Sequence, residues 1–171
     1  IENDSSNLNG MAYCSFDKPF PKYTSIEKLV PPMRYLATNS EYETLLLAPD
    51  KATFEKTWLS ITNDVERAKQ IIKSYYKQVE IANELFTSFK AGWKTDMGMI
   101  YIIFGVPNEV LKSNSKEEWI YNGTSQQSKL TFTFVKVDNA FSPNYYMLVR
   151  KKEYRTAWMN RVDLWRKGRL K

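Results

Sequence analysis

From Asp64 to Phe89 the apolar positions Val65, Ala68, Ile72, Tyr75, Val79, Ala82, Phe86 and Phe89 recur at alternating steps of three and four residues. That is the period of one face of an α-helix, and it predicts a long rod with Asp64 as its cap or first-turn acid. Ile71 and Leu85 flank the stripe and widen it beyond a coiled-coil seam, so the spacing predicts a core helix packed on a sheet. Upstream, Asn39 or Ser40 can cap a short helix to about Leu47, with Glu43 placed for a capping box. Pro49 then sits near the start of a second helix, which carries Phe54, Trp58 and Ile61 at helical spacing.

After Gly92 the period changes. "MIYIIFG" is a nearly continuous apolar run, read as a strand buried on both faces, and "GVPNEV" has Pro and Asn where a turn needs them. "EEWIYNG" sets Trp119 and Tyr121 on one side of a second strand. "KLTFTFVKVD" alternates Leu130, Phe132 and Phe134 against Thr131 and Thr133, and "NYYMLVR" reads as a fourth strand. Short links between these segments predict a four-stranded antiparallel meander. Tyr154, Trp158, Val162 and Trp165 then mark one face of a last helix from about Lys152, with Gly168 as its stop.

Ahead of these elements, "DKPFPKY" and "LVPPMRY" hold four of the seven prolines. Proline blocks helix interiors, so residues 1–40 read as an extended arm, or as the lead-out from an upstream domain. Residues 41–171 read as the domain proper. The predicted class is α+β: an N-terminal extended arm, helices including one long helix, a four-stranded antiparallel meander and a C-terminal helix.

Composition narrows the chemistry. The chain has 171 residues, 43% hydrophobic and 15% aromatic, enough for a sizeable core. It has no histidine, so Ser-His-Asp and Cys-His nucleophiles and histidine-ligated zinc are excluded. Its one cysteine, Cys14, allows no internal disulfide and no all-thiolate metal site, and reads as a small half-buried residue. No cofactor and no metal are expected. No apolar run reaches the roughly 18–20 residues that span a bilayer. The chain opens on Ile1 and runs polar, without the basic-then-apolar start of a signal peptide, which suggests a processed protein or a piece of a longer one.

The net charge of +6 is unevenly placed. Residues 150–171 carry nine basic side chains, among them Arg155, Arg161 and Arg166, against Glu153 and Asp163. A basic helical face is most often solvated; it also suits anionic lipid, lipopolysaccharide or an acidic partner. The aromatics of that helix share one face, which argues for packing and against base stacking on nucleic acid.

The densest stretch is "GWKTDMGMIYIIFG", residues 92–105. Each residue type suits a corner. Gly92 reads as the left-handed residue ending the long helix, and Trp93 as an apolar plug. Thr95 and Asp96 read as acceptors for the turn, Gly98 as a point of close backbone approach, and Gly105 with Pro107 as the next turn. The chemical alternative makes Asp96 a catalytic or ligand-binding carboxylate, partnered by Glu117, Glu118 or Asp138, as a glycosidase pair would be. Trp119 and Tyr121 would then be an aromatic platform for sugar or peptide rather than core filling. No second acid sits in an equally ordered motif, so the structural reading is preferred.

"GWKTDMGMIYIIFGVPNEV", followed by "EEWIYNG" and "LTFTFVKVD", resembles the GWxTD domain of Bacteroidota and related bacterial envelope proteins. That family typically reads G-W-x-T-D-R-G-x-I-Y-I-x-F-G-x-P-D, with a Trp-x-Tyr strand after a variable loop. "PPMRYLATNSEYETL" and "YYKQVEIANELFTSFKAGW" also fit its lead-in, so the likeness covers roughly residues 30–150. Met97 replaces the usual Arg and Asn108 the common Asp, which puts any role of that Arg in doubt here. The resemblance implies an exported protein, periplasmic or associated with the outer membrane or cell surface, with no established catalytic activity. It suggests a structural or interaction module whose partner is another envelope protein. A glycan-binding or carboxylate-dependent glycan-processing domain is the alternative.

Overall fold

The periodic stripe folds as α4, Val65–Phe86, a 22-residue rod about 33 Å long. Asp64 caps it by accepting the Arg67 backbone N–H at 2.9 Å. Ala68, Ile71, Tyr75, Val79 and Ala82 are buried along it, while Val65 and Leu85, at the stripe's margins, are exposed. The computed structural model describes residues 14–48, 50–62, 64–123 and 128–169. Residues 1–13 of the expected arm, and Pro49, lie outside the described residues.

Around α4 are arranged α1 (Ile26–Leu29), α2 (Asn39–Leu47), α3 (Lys51–Thr62), α5 (Asp96–Phe104) and α6 (Lys152–Arg166). Thr38, one residue earlier than expected, caps α2 in a full capping box with Glu41. Phe54, Trp58 and Ile61 of α3 are buried as their spacing predicts. The sheet has four antiparallel strands in the order β1 (Glu109–Lys112), β2 (Lys116–Tyr121), β3 (Leu130–Lys136) and β4 (Tyr146–Leu148). The architecture is α+β, with one sheet face packed on the helices.

Two segments differ from their expected form. Residues 99–104 are the body of helix α5, and the first strand of the meander is Glu109–Lys112, which begins inside the segment 105–110 read as a turn. Of the nine residues of α5, seven are buried, from Met97 and Gly98 to Phe104. A segment buried on every side has no apolar period, so a helix and a two-face-buried strand look alike in sequence. The local ends decide. Thr95 is extended and its hydroxyl accepts the Gly98 N–H at 3.0 Å, Asp96 lies at the positive end of the helix dipole, and Gly105 ends the helix at φ 79°.

The second difference is in residues 26–36 of the expected arm, which are helical turns built into the core, while residues 14–25 hold no helix or strand. Ile26–Leu29 is one helical turn and Pro31–Tyr35 a 3₁₀ turn, with Val30, Met33 and Leu36 all at most 2% exposed. Pro31 stands at the first position of its turn, where a missing N–H costs nothing and the fixed φ is already helical. Tyrosine hydroxyls tie the segment to the body. Tyr76 donates to the Leu29 carbonyl, Tyr75 to that of Pro32, and Tyr35 to that of Trp93. Burial raises all three phenols, Tyr35 to about 12, so each remains a donor at neutral pH. Cys14, expected half-buried, is exposed.

Candidate functional site

The motif residues divide among several environments. Gly92 does not end α4, whose cap is Thr87, and it has no positive φ. It allows contact instead: a Cβ there would lie 1.9 Å from the Ala82 carbonyl oxygen. A Cβ on Gly98 would lie 1.9 Å from the carbonyl oxygen of Gly92. The backbones of α4, the 92–94 turn and α5 thus stack without side chains between them. Asn83, 1% exposed, locks the stack. Its side chain accepts the Trp93 N–H at 3.1 Å and donates to the Pro21 carbonyl at 2.9 Å. Thr95 donates to the Gly92 carbonyl at 2.7 Å.

Trp93 is buried, but as a plug between the corner and the N-terminal segment. Its indole N–H donates to Tyr23 at 3.0 Å, and its ring meets Tyr35 edge-on at 6.1 Å. Asp96 accepts from the Leu148 backbone N–H at 2.8 Å and from Arg150 at 2.7 Å, so it fastens α5 to the end of β4. Arg150 supplies a guanidinium for the motif acid, and Met97 is buried. Gly105 accepts the Tyr121 hydroxyl at 2.9 Å, and Pro107 follows in the α5–β1 turn.

Two of the three carboxylates proposed as partners of Asp96 are engaged elsewhere. Glu117 is 9% exposed, pairs with Lys112 at 3.0 Å and accepts the Trp119 indole N–H at 3.2 Å. Glu118 pairs with Lys116, and Asp138 is exposed. Among the described residues no cluster of three or more His, Cys, Asp or Glu is placed to hold a metal, and no helix is long and apolar enough to cross a membrane.

Much of the basic charge of α6 points inward. Arg161 donates from Nε to the Ile103 carbonyl and from Nη2 to that of Phe104, covering the carbonyl end of α5. Burial lowers its pKa from the ordinary arginine value. Arg166 grips both oxygens of Glu41 at 2.9 and 3.0 Å and holds that carboxyl below its ordinary pKa. Arg155, Lys151 and Lys152 are exposed. Sequence reasoning had no signal for the Arg161 and Arg166 contacts, because their acceptors are backbone carbonyls and an acid 125 residues away.

What sequence reasoning missed is a groove of about 890 Å³ running between the end of α4, α5, the β1–β2 hairpin and the loop before β4. Trp119 forms part of its floor, packed on Phe86 at 5.4 Å and Phe134 at 4.8 Å. Tyr101, Tyr145, Val106 and Val110 line it, and the Lys112–Glu117 pair stands in its wall. The Ser88 hydroxyl, also in the wall, is buried with no hydrogen-bond partner among the described residues. Trp119 and Val110 are cross-strand partners and share a sheet face. Tyr121 packs instead on Phe104 and Phe132, and Asp96 on β4, so Trp119, Tyr121 and Asp96 do not meet in one cleft. The signal for the groove was local: Val106 and Val110 are apolar residues in a turn-and-edge segment, and they are exposed.

No curated protein and no solved structure matches the chain. The family model described as GWxTD domain matches residues 1–167, across both the proline-containing N-terminal segment and the helix–sheet body. With nearly its whole length matched, the chain belongs to the GWxTD domain family.

Proposed function

We propose that this chain is a non-enzymatic protein-interaction module of an exported bacterial envelope protein, working in the periplasm or at the outer membrane or cell surface. The observation that carries the reading is the groove beside β1. β1 is an edge strand with all four residues exposed, so one side of its backbone is unpaired. Leu85 and Val106, which line the groove beside it, stand exposed at 61% and 71%. An extended segment of another envelope protein can add to such an edge, with alternate apolar side chains entering the groove over Trp119 and Tyr101. The motif acid and the inward arginines of α6 have internal roles that account for them without a reaction.

A second reading is favoured by one feature of the same groove. Aromatic rings, hydroxyls and the Glu117 carboxylate lie together there, a combination that suits a glycan. Affinity capture from a Bacteroidota envelope extract tests both, at about 0.3 M salt to weaken contacts made by charge alone. A specific protein that is retained by the native chain and lost with Val110→Lys supports the interaction module. Recovery of glycan alone would favour the second reading. Capture insensitive to Val110→Lys would remove the groove from either.

A further inference from the structure

A second hollow, of about 440 Å³, lies where the outer face of α4 meets the end of α5 and α6. It shares only Val106 with the groove. Arg67, Gln70, Ser74 and Gln78 succeed one another along one face of α4 and form one wall, and Arg161 stands in the other. Among the described residues no Asp or Glu lines it. Among the described residues neither arginine meets a carboxylate within ion-pair distance. The acids near them in sequence are used elsewhere: Glu66 pairs with Lys69, Asp163 with Lys167, and Asp64 accepts the Arg67 backbone N–H.

Arg161 spends Nε and Nη2 on the two carbonyls of α5, which leaves Nη1 without a partner among the described residues. The carbonyl end of α5 offsets part of the charge of this half-buried guanidinium, and a carboxylate or phosphate at the free Nη1 would complete its complement. The side-chain amide oxygen of Gln78 is also buried and has no hydrogen-bond partner among the described residues. The exposed Arg67, the half-buried Arg161 and an unused acceptor thus border one hollow without a carboxylate among the described residues, and its size falls within the range of small-molecule sites.

We propose that this hollow binds a small hydroxylated anion, a carboxylate or phosphate on a short polyol or sugar, with Arg161 and Arg67 holding the charge and Gln78 accepting a hydroxyl. If Arg161 only caps α5, Arg67 is irrelevant to it; if the hollow is a ligand site, both arginines are needed. The test is a titration of the ¹⁵N-labelled chain with inorganic phosphate, glycerol 3-phosphate and gluconate, read by NMR. Saturable shifts of the Arg67 and Arg161 Nε–H and the Gln78 amide signals are expected with glycerol 3-phosphate or gluconate. Arg67→Gln, which leaves the cap on α5 intact, should weaken that binding at least about tenfold without moving the thermal midpoint. Shifts that grow linearly without saturating, or binding equal in Arg67→Gln and the native chain, would overturn the site. Inorganic phosphate binding as tightly as glycerol 3-phosphate would overturn the hydroxyl contact to Gln78.

Discussion

The corner at residues 92–98 and the groove beside β1 lie a few residues apart along α5, and both are built from aromatics, small residues and short polar side chains. In the corner the motif side chains other than Lys94 are turned inward, Thr95 and Met97 bordering the groove from beneath. Gly92 and Gly98 let three backbone segments touch, Asn83 and Thr95 satisfy the exposed ends, and Asp96 reaches across to β4. In the groove the same kinds of residue leave apolar surface and a serine hydroxyl without partners inside the described chain. The lesson is that a motif's density is no measure of its chemistry. The residues that define "GWKTD" are held by the fold, and the surface left over for a partner, which only Thr95 of them borders, lies mostly in plainer segments.

The sharpest way to break this contrast is to add one methyl group in the corner. Gly92→Ala and Gly98→Ala each place a Cβ 1.9 Å from a backbone oxygen that cannot swing aside. Each should cost about 3 kcal/mol or more, a large share of a typical domain's stability, measured by urea unfolding. Gly105→Ala meets nothing within 4 Å, and its cost comes from the backbone at φ 79°, about 1–3 kcal/mol. If all three variants unfolded alike, close contact would not be what distinguishes the corner.

Asp96→Ala should cost about 1–3 kcal/mol, because the Leu148 N–H loses its acceptor in a half-buried setting. Arg150→Ala should cost under about 1 kcal/mol, since the Arg150 side chain is 67% exposed. Thermal melts that rank the two in the opposite order would make the ion pair, not the backbone bond, the working contact.

The Glu41–Arg166 contact sharpens the comparison through pH. Its folded pKa is lowered, chiefly by the hydrogen bond from Arg166, so its contribution is fully present above the ordinary value of 4.5 and is lost as pH falls through the lowered one. Native chain and Glu41→Gln should therefore differ in urea midpoint at neutral pH and converge in acid. A difference that stays constant with pH would refute that linkage. The smallest stability effect belongs to the groove. Val110→Lys, at an exposed edge position, should shift stability by no more than about 0.5 kcal/mol while removing partner capture.

Much of this was legible in the chain. The stripe of α4, the inward face of Trp119, Phe132 and Phe134, and the Tyr154–Trp165 face of α6 follow from period alone, because each element has one wet side and one dry side. The part of the site least legible was the part with no such asymmetry. "MIYIIF" is apolar on every side, so its period is silent, although Thr95, Asp96 and Gly105 carried a start and stop signal for a helix. The prolines of "LVPPMRY" read as extended for a similar reason: they forbid a helix interior but suit its first turn, and sequence does not say which is being used.

The sequence by itself determined the α+β class, the family, the long helix and the exclusion of histidine chemistry, since these rest on composition, period and motif. Only the tertiary structure decided that residues 96–104 are a helix, that Gly92 serves contact rather than a turn, and that Asp96, Arg161 and Arg166 serve the fold. Those outcomes depend on which backbone groups approach which others, here across 52, 58 and 125 residues of chain, and distance in space is not written in local pattern.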